Sequence, residues 1–230
     1  MLSKITASLI CMDLTDLKSS LDTLLDNGIN QVHADFMDNN FVPRLGVSPE
    51  LIRWIKKRYE NKIQIDSHLM VKDPISCVDV IAPCSDFLFF HYEAVSDPTR
   101  VLQYLRKNYP DLKIGVAYNL QTQVNPAFQK MGLVDGVLFM GISPGVLGTN
   151  SYPEIVREKI KTFSSSSFPS LPIYIDGSVN FQTISDYTSV HNVKIVCGNS
   201  TLFKTPTPFD YLSDKLLIEC NVEKIKGLLR

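Results

Sequence analysis

The sequence predicts an α/β fold, a single (β/α)8 barrel over residues 1–230. Eight short apolar, β-branched runs recur along the chain, and a segment with helical periodicity follows each of them. The runs start 22 to 36 residues apart, which leaves room for a strand, a helix and two turns and implies parallel pairing. A doubly wound sheet more often has about five to seven strands, so eight repeats favour the barrel.

The elements follow from these runs in chain order. The predicted strands are Ile5–Ile10, Gln31–Asp35, Ile63–His68, Phe87–His91, Lys113–Tyr118, Gly136–Met140, Pro172–Asp176 and Lys194–Cys197. Leucines at 17, 21, 24 and 25 form one face of the first helix. Three prolines stand where first helical turns would begin: Pro49, Pro98 and Pro153. The Ser164–Ser167 run predicts a loop, and residues 209–229 predict a closing helix.

Composition excludes several classes of protein. Hydrophobic residues make up 44% and charged residues 20%, which is typical of a globular chain and not of a disordered one. A net charge of −1 gives no electrostatic footprint of a nucleic-acid or membrane-surface binder. Five widely spaced cysteines without a C-x-x-C pair indicate neither a disulfide framework nor a zinc ribbon. No apolar run approaches the roughly 20 residues of a membrane span, so we expect a cytoplasmic protein.

Polar side chains interrupt the apolar strands at their carboxyl ends. His33 and Asp35 are two residues apart and therefore leave one strand on the same side. His68 ends the third strand and Asp176 the seventh. Because the carboxyl ends of barrel strands share one rim, two imidazoles and two carboxylates converge there. Mixed N and O donors of this kind suit a divalent transition metal such as Zn, Mn, Fe or Co.

A structural interpretation competes with this functional one. A lone histidine at a strand end is more often a hydrogen-bonded core residue, and Asp176–Gly177 is more often a plain turn. The coincidence of four such residues at one rim favours the metal site. His91, at the end of the fourth strand, is either a partner of the site or a packed neutral imidazole, and His191 is predicted to be a surface residue.

Phosphate is the anion that the glycine-rich loops could hold. Backbone N–H groups at the start of a helix bind anions without side-chain charge. The candidate loops are 143–148 after strand six, 177–180 after strand seven and 198–200 after strand eight. The last two follow the strands that commonly hold phosphate in barrel enzymes.

Seven segments together resemble one family, the ribulose-phosphate 3-epimerases. They are SLICMDL (8–14), VHADFMDNNFVP (32–43), DSHLMVKDP (66–74), HYEA (91–94), MGISPG (140–145), IDGSVN (175–180) and CGNSTLF (197–203). The first and the last two of these segments look most like the D-allulose-6-phosphate 3-epimerase branch. The strand-six loop departs from the usual P-G-F-x-G-Q, and Arg44 stands where the family usually has Asn.

The resemblance implies a fold, a chemistry and a set of site residues. The fold would be a barrel with a ribulose-phosphate-binding type of phosphate site. The enzyme would act on a ketose phosphate and would assemble as a homo-oligomer. One divalent metal ion per subunit would be held by His33, Asp35, His68 and Asp176, with the two aspartates as the acid/base pair. The implied substrate contacts are Ser8, His68, Met37, Met70, Met140, Gly145, Val146, Leu147, Gly148, Gly177, Ser178, Gly198 and Asn199.

Epimerisation beside a ketone explains why two carboxylates are needed. A proton leaves one face of the carbon and another returns to the opposite face, so acid/base groups must flank the sugar. A divalent ion would stabilise the enediolate as a Lewis acid. We expect D-allulose 6-phosphate as the substrate, with D-ribulose 5-phosphate as the alternative.

Two alternative functions are compatible with the same fold. A decarboxylase or aldolase of the D-x-K-x-x-D type needs a lysine where this chain has His68, and no lysine ends a strand inside the predicted barrel. A catalytically silent phosphosugar-binding barrel would need no paired carboxylates, so the complete set of two Asp and two His argues against it.

Overall fold

Eight parallel strands close into a barrel in a computed structural model that describes residues 2–60, 62–125, 127–146, 152–165, 170–204 and 213–229. Each strand pairs with the next along the chain, and β8 pairs with β1. The strands are β1 Ile5–Ser8, β2 Gln31–Met37, β3 Gln64–Met70, β4 Phe87–His91, β5 Lys113–Tyr118, β6 Gly136–Met140, β7 Ile173–Asp176 and β8 Val193–Cys197. This confirms the predicted (β/α)8 barrel.

The helices connect successive strands. They are α1 Leu17–Asp26, α2 Pro49–Tyr59, α3 Pro74–Ile81, α4 Pro98–Asn108, α5 Ala127–Lys130, α6 Pro153–Ser164, α7 Ile184–Ser189 and α8 Asp214–Leu228. The prolines at 49, 98 and 153 stand at the first helical residue, as predicted. None of the helices within the described ranges combines the length and the apolarity that a bilayer span needs.

Several predicted boundaries were wrong. Strand β1 ends at Ser8, and Leu9–Cys11 forms a 3-10 turn, because beyond His33 the backbone of β2 accepts hydrogen bonds from residues 46–47. Conversely, β2 and β3 continue two residues further because Met37 pairs with Met70. Ser164 belongs to α6, which caps at Ser165, and residues 166–167 lie outside the described residues.

Aromatic side chains fill the amino-terminal half of the barrel interior. The rings of Phe87 and Phe89 stack with centroids 4.3 Å apart, and the ring of Phe89 lies 4.8 Å from that of Tyr174. Gly115 makes room for them, since a Cβ atom there would lie 2.4 Å from Phe89 Cε1. The carboxyl ends of the strands lie beyond this aromatic layer, and barrel enzymes place their active sites at those ends.

Candidate metal centre and active site

Strand register brings the four predicted ligands to one place. His33 and Asp35 project from β2 to the same side, and Asp35 pairs directly with His68 on β3. Asp176 is the last residue of β7, where it pairs with Met140. Both imidazoles are fully buried, and Asp35 is also buried. The neighbouring strands β2 and β3 therefore hold three of the candidate ligands, while Asp176 approaches from β7.

The ligand atoms are close enough to share one ion. His68 Nδ1 lies 3.2 Å from Asp35 Oδ1 and 3.5 Å from Asp176 Oδ2. His33 Nε2 lies 3.3 Å from Asp35 Oδ1 and 3.9 Å from Asp176 Oδ2. The two imidazole nitrogens that face each other are 3.3 Å apart.

These separations fit a divalent cation. Ligands about 2.1 Å from a tetrahedral ion lie about 3.4 Å from one another. All four ligand atoms here lie within 4.8 Å of one another. Two carboxylates beside two imidazoles give the mixed O and N donor set of Zn, Mn, Fe and Co sites. The residues present therefore fit a divalent metal of this class.

Electrostatics within the cluster favour a cation. Burial alone would lower the pKa of His33, but the Asp35 and Asp176 carboxylates raise it to about 9. Burial would raise the pKa of Asp35, yet His33 and His68 hold it well below its usual range. Protons on both facing ring nitrogens would point at each other across 3.3 Å. A divalent ion neutralises the carboxylates without that conflict.

A cavity of about 460 Å³ runs from the carboxylates to the glycine loops. Its wall contains these predicted site residues: Ser8, Asp35, Met37, Met70, Met140, Gly145, Val146, Asp176, Gly177, Ser178, Gly198 and Asn199. His33 and His68 lie behind that wall, fully buried. Leu147 and Gly148, which we predicted to contact phosphate, lie outside the described residues.

The hydroxyl of Ser178, which follows β7, makes two hydrogen bonds. It donates to the Gly141 carbonyl at 2.6 Å and accepts the Tyr152 N–H at 2.8 Å. The side chain therefore ties the loops after β6 and β7 together. Gly177 and Ser178 both have positive φ, 84° and 58°, so the backbone turns sharply beside the cavity. Gly177 has no room for a side chain, since a Cβ would lie 2.6 Å from Ile142 Cγ1.

Sequence reasoning missed two cations in the cavity wall. Arg44 and Lys204 line the cavity together with the glycine loops. Arg44 Nη1 donates to the Gly145 carbonyl at 3.4 Å, so the loop after β2 reaches across to the loop after β6. Lys204 Nζ lies 5.6 Å from the centroid of the Phe181 ring. In the sequence there was a signal only for Arg44, which stands where the family usually has Asn.

Comparison with known proteins identifies the family. The model of the ribulose-phosphate 3-epimerase family matches residues 4–203. The chain belongs to this family. A cytoplasmic isoform of ribulose-phosphate 3-epimerase from Oryza sativa is 30% identical over 216 residues, 92% of each chain. The Schizosaccharomyces pombe enzyme is 27% identical over 213 residues, 92% of this chain and 91% of its own, and the Escherichia coli K12 enzyme is 29% identical over 207 residues, 88% and 89%.

Membership in the ribulose-phosphate 3-epimerase family makes this chain a sugar-phosphate 3-epimerase, an enzyme of the isomerase class. Solved structures agree on the fold. A 3-hexulose-6-phosphate synthase from Salmonella typhimurium superposes with a TM-score of 0.63 over 98% of this chain and 97% of its own, at 14% identity. At that identity the likeness concerns the barrel alone.

Proposed function

We propose that this family member is a metal-dependent epimerase of a ketose phosphate, D-allulose 6-phosphate, which it interconverts with D-fructose 6-phosphate at C3. The observation that carries the proposed mechanism is the placement of Asp35 and Asp176. They stand on β2 and β7, separated around the closed barrel by β1 and β8, and both line the cavity. Carboxylates on different strands can face opposite sides of a bound sugar.

Each aspartate has two oxygens, and this allows two roles. One oxygen of Asp35 and one of Asp176 face the imidazoles, which leaves the other for a proton at C3. One carboxylate removes the proton and the other, protonated, returns one to the opposite face. His33 and His68 orient the carboxylates and would hold the ion with them. The bound ion would act as a Lewis acid toward the enediolate.

The methionines of the cavity wall exclude water around C3. Met37, Met70 and Met140 all line the cavity, and Met140 is only 1% exposed. Flexible thioether side chains adapt to an irregular ligand and expose no hydrogen-bonding hydrogen to it. A carbanion-like intermediate is therefore less exposed to solvent protons than it would be in an open cleft.

The loop residues of the cavity wall suit a phosphate group. Gly177 and Gly198 contribute backbone to the wall, and Arg44 and Lys204 are its cations within the described residues. Neutralising two carboxylates with a divalent ion leaves the reacting end uncharged, so these cations give the cavity a positive end. A phosphate dianion is drawn to that end and thereby fixes the orientation of the sugar.

Two substrates remain to be compared. The segments SLICMDL, DGSVN and GNSTLF support the hexulose phosphate. The names of the curated relatives favour D-ribulose 5-phosphate, which is one hydroxymethylene unit shorter. The deciding measurement is kcat/KM on both phosphates with the metal-reconstituted chain. A higher value on ribulose 5-phosphate would overturn the hexulose assignment and leave the epimerase chemistry intact.

The epimerase mechanism has its own test. Asp35→Asn and Asp176→Asn should each slow the exchange of the C3 proton with deuterated solvent about 10²- to 10⁴-fold. Metal content is measured on each variant, because both residues are also proposed ligands. Unchanged exchange in a metal-loaded variant would contradict the two-carboxylate mechanism. Sugar-phosphate binding without exchange in the parent chain, unchanged by chelation of the metal, would favour the silent binding barrel.

The homo-oligomer implied by the family resemblance stays a prediction. Light scattering on the purified chain measures it directly, and a mass of one 25.9 kDa subunit would contradict it.

A further inference from the structure

A row of hydrogen bonds continues behind His68, away from the cavity. His68 Nε2 lies 2.9 Å from His91 Nε2, and His91 Nδ1 lies 3.2 Å from Glu93 Oε2. The other carboxylate oxygen, Glu93 Oε1, accepts the backbone N–H of Asn119 at 2.8 Å. His68 and His91 are fully buried, and their rings meet edge to edge, with centroids 5.0 Å apart and planes 27° apart. The proposed mechanism makes no use of His91 or Glu93.

The direction of every hydrogen bond in this row is determined by chemistry. An ionised Glu93 can only accept, so His91 Nδ1 must carry a hydrogen. A neutral imidazole has a single N–H, which makes His91 Nε2 an acceptor. His68 Nε2 must then donate to it. A histidine that binds a metal is neutral, so the other ring nitrogen of His68, Nδ1, then carries a lone pair, and this is the atom that faces Asp35 and Asp176.

Burial and charge keep this pattern in place. The His91 ring is fully buried and is held by a hydrogen bond at each of its two nitrogens. Burial alone would raise the pKa of Glu93, but His91, Thr122 and the Asn119 N–H together lower it, which keeps the carboxylate ionised. Asn119 follows β5 directly, so the backbone of a neighbouring strand anchors the far end of the row.

We propose that Glu93 and His91 are positioning residues that hold His68 as its Nε2–H tautomer and so present its Nδ1 lone pair to a divalent cation. The inference rests on the metal centre of the proposed function. Metal-binding histidines commonly need such a partner on the second nitrogen, and its loss typically costs 10- to 100-fold in metal affinity. Here a second histidine stands between the ligand and the carboxylate.

The first test is Glu93→Gln in the full-length chain. Glu93 accepts two N–H groups, whereas a glutamine has one acceptor oxygen and would point its NH2 group at the other donor. We expect Co²⁺ affinity, measured by competition with a chelator, to fall about 10- to 100-fold. The visible absorption of bound Co²⁺ should change as well, since a rotated His68 alters the ligand geometry. Circular dichroism confirms that the variant is folded.

Phe41→Leu is the matched control. The Phe41 ring packs on His91 with centroids 4.8 Å apart and makes no hydrogen bond to it. If His91 acted through packing alone, Phe41→Leu would weaken Co²⁺ binding as much as Glu93→Gln. We expect Phe41→Leu to leave the Co²⁺ affinity and spectrum unchanged.

A measurement on the unaltered chain needs no variant. In the Zn²⁺-loaded protein labelled with ¹⁵N-histidine, NMR should show His91 protonated at Nδ1 and His68 at Nε2. A His91 protonated at Nε2, or equal Co²⁺ affinity and spectrum in the parent and in Glu93→Gln, would overturn the positioning role alone. Failure of the parent to bind Co²⁺ or Zn²⁺ would overturn the metal centre itself, and the inference with it.

Discussion

At the scale of single residues, charge is distributed unevenly along the cavity. Asp35 and Asp176 belong to the proposed metal centre, while Arg44 and Lys204 stand on loops of the same cavity wall. The ketose carbon must lose a proton to a carboxylate, whereas the phosphate group brings negative charge and is attracted by cations. Carboxylates and cations on different residues of the wall allow one cavity to serve both parts of the substrate.

Removing either cation should weaken binding of the sugar phosphate. Arg44→Asn should raise KM about tenfold, because a guanidinium–phosphate contact is worth about 1.5 kcal/mol or more. Lys204→Gln should raise it about fivefold or less, since Lys204 is exposed and its charge is screened. Both effects should shrink at high ionic strength. Steady-state kinetics on the preferred phosphate gives these values, with kcat nearly unchanged.

Lys57→Gln serves as the control with the same change of net charge. Lys57 is exposed on α2, and its ammonium lies 5.3 Å from the Trp54 ring, away from the cavity wall. The KM of the Lys57→Gln variant should equal that of the parent. A KM for Arg44→Asn that is unchanged, or that rises equally for an unphosphorylated ketose, would contradict a phosphate contact.

Residue-level prediction succeeded where strand geometry decides the outcome. The convergence of His33, Asp35, His68 and Asp176 followed from alternation along a strand and from the shared rim of a barrel. Arg44 and Lys204 could not be found in this way, because they stand on loops whose path no periodicity describes. The role of His91 was left open for the same reason, since its hydrogen-bond partner Glu93 stands in the 3-10 turn Tyr92–Ala94.

At the scale of elements, β2 is supported by the segment that follows it. The chain turns at residues 38–45 and runs back along β2, where Val47 N–H donates to the Asp35 carbonyl at 2.9 Å and Gly46 N–H to the Met37 carbonyl at 3.2 Å. Asp38 holds this turn by accepting the N–H groups of Asn40 and Phe41, each at 2.8 Å. The backbone of Asp35 is therefore fixed on both of its sides.

Gly46→Ala should disturb Asp35 without touching its side chain. A Cβ at position 46 would lie 2.1 Å from the Asp35 carbonyl oxygen and 2.5 Å from Met37 N, so one of the two segments must move. We expect the free energy of unfolding to fall by about 1–3 kcal/mol, as for other overpacked sites. Activity should fall as well because Asp35 shifts. Urea unfolding and kcat measure the two effects.

Gly227→Ala is the control for a glycine-to-alanine change. Gly227 lies in α8, and a Cβ there meets no atom within 4 Å. Alanine is the better helix former, so this variant should gain about 0.5–1 kcal/mol and keep full activity. A Gly46→Ala protein with the stability and kcat of the parent would contradict the supporting role of the return segment.

Element boundaries depend on what the neighbouring strand offers, and a linear pattern does not contain this information. The prediction extended β1 to Ile10 because Leu9 and Ile10 are apolar, whereas pairing ends at Ser8. The resulting 3-10 turn brings Ile10 and Cys11 into the cavity wall. The wrongly predicted end of β1 thus lies at the cavity, where a 3-10 turn forms part of the wall.

At the scale of the whole molecule, the barrel could be predicted because its signal is repeated eight times. An error in one boundary leaves the count and spacing of the strands unchanged, and parallel pairing follows from the strand–helix alternation. Closure then brings β1 and β8 between the strands of the two aspartates. The sequence therefore predicted the architecture more reliably than it predicted the loops that complete the cavity.

The same closure makes the proposed metal centre a link across the molecule. Its candidate ligands come from β2, β3 and β7, and these strands come together only in the folded barrel. A ligand that binds only the folded state stabilises it by about 2.7 kcal/mol at 100 times its Kd. For a domain of this size each kcal/mol is worth about 2–4 °C in Tm. Chelation of the metal should therefore lower Tm by roughly 5–10 °C.

Calorimetry with and without chelator on the parent and on Asp176→Asn separates this effect from simple buffer changes. Asp176 is the proposed ligand from β7, and its carboxylate is partly exposed, so its replacement should weaken the metal link with little loss of packing. We expect the chelator to shift Tm in the parent and to have a much smaller effect in Asp176→Asn. Equal shifts in both proteins would show that the chelator acts elsewhere, because the cation that bridges β2, β3 and β7 would then not depend on the β7 carboxylate.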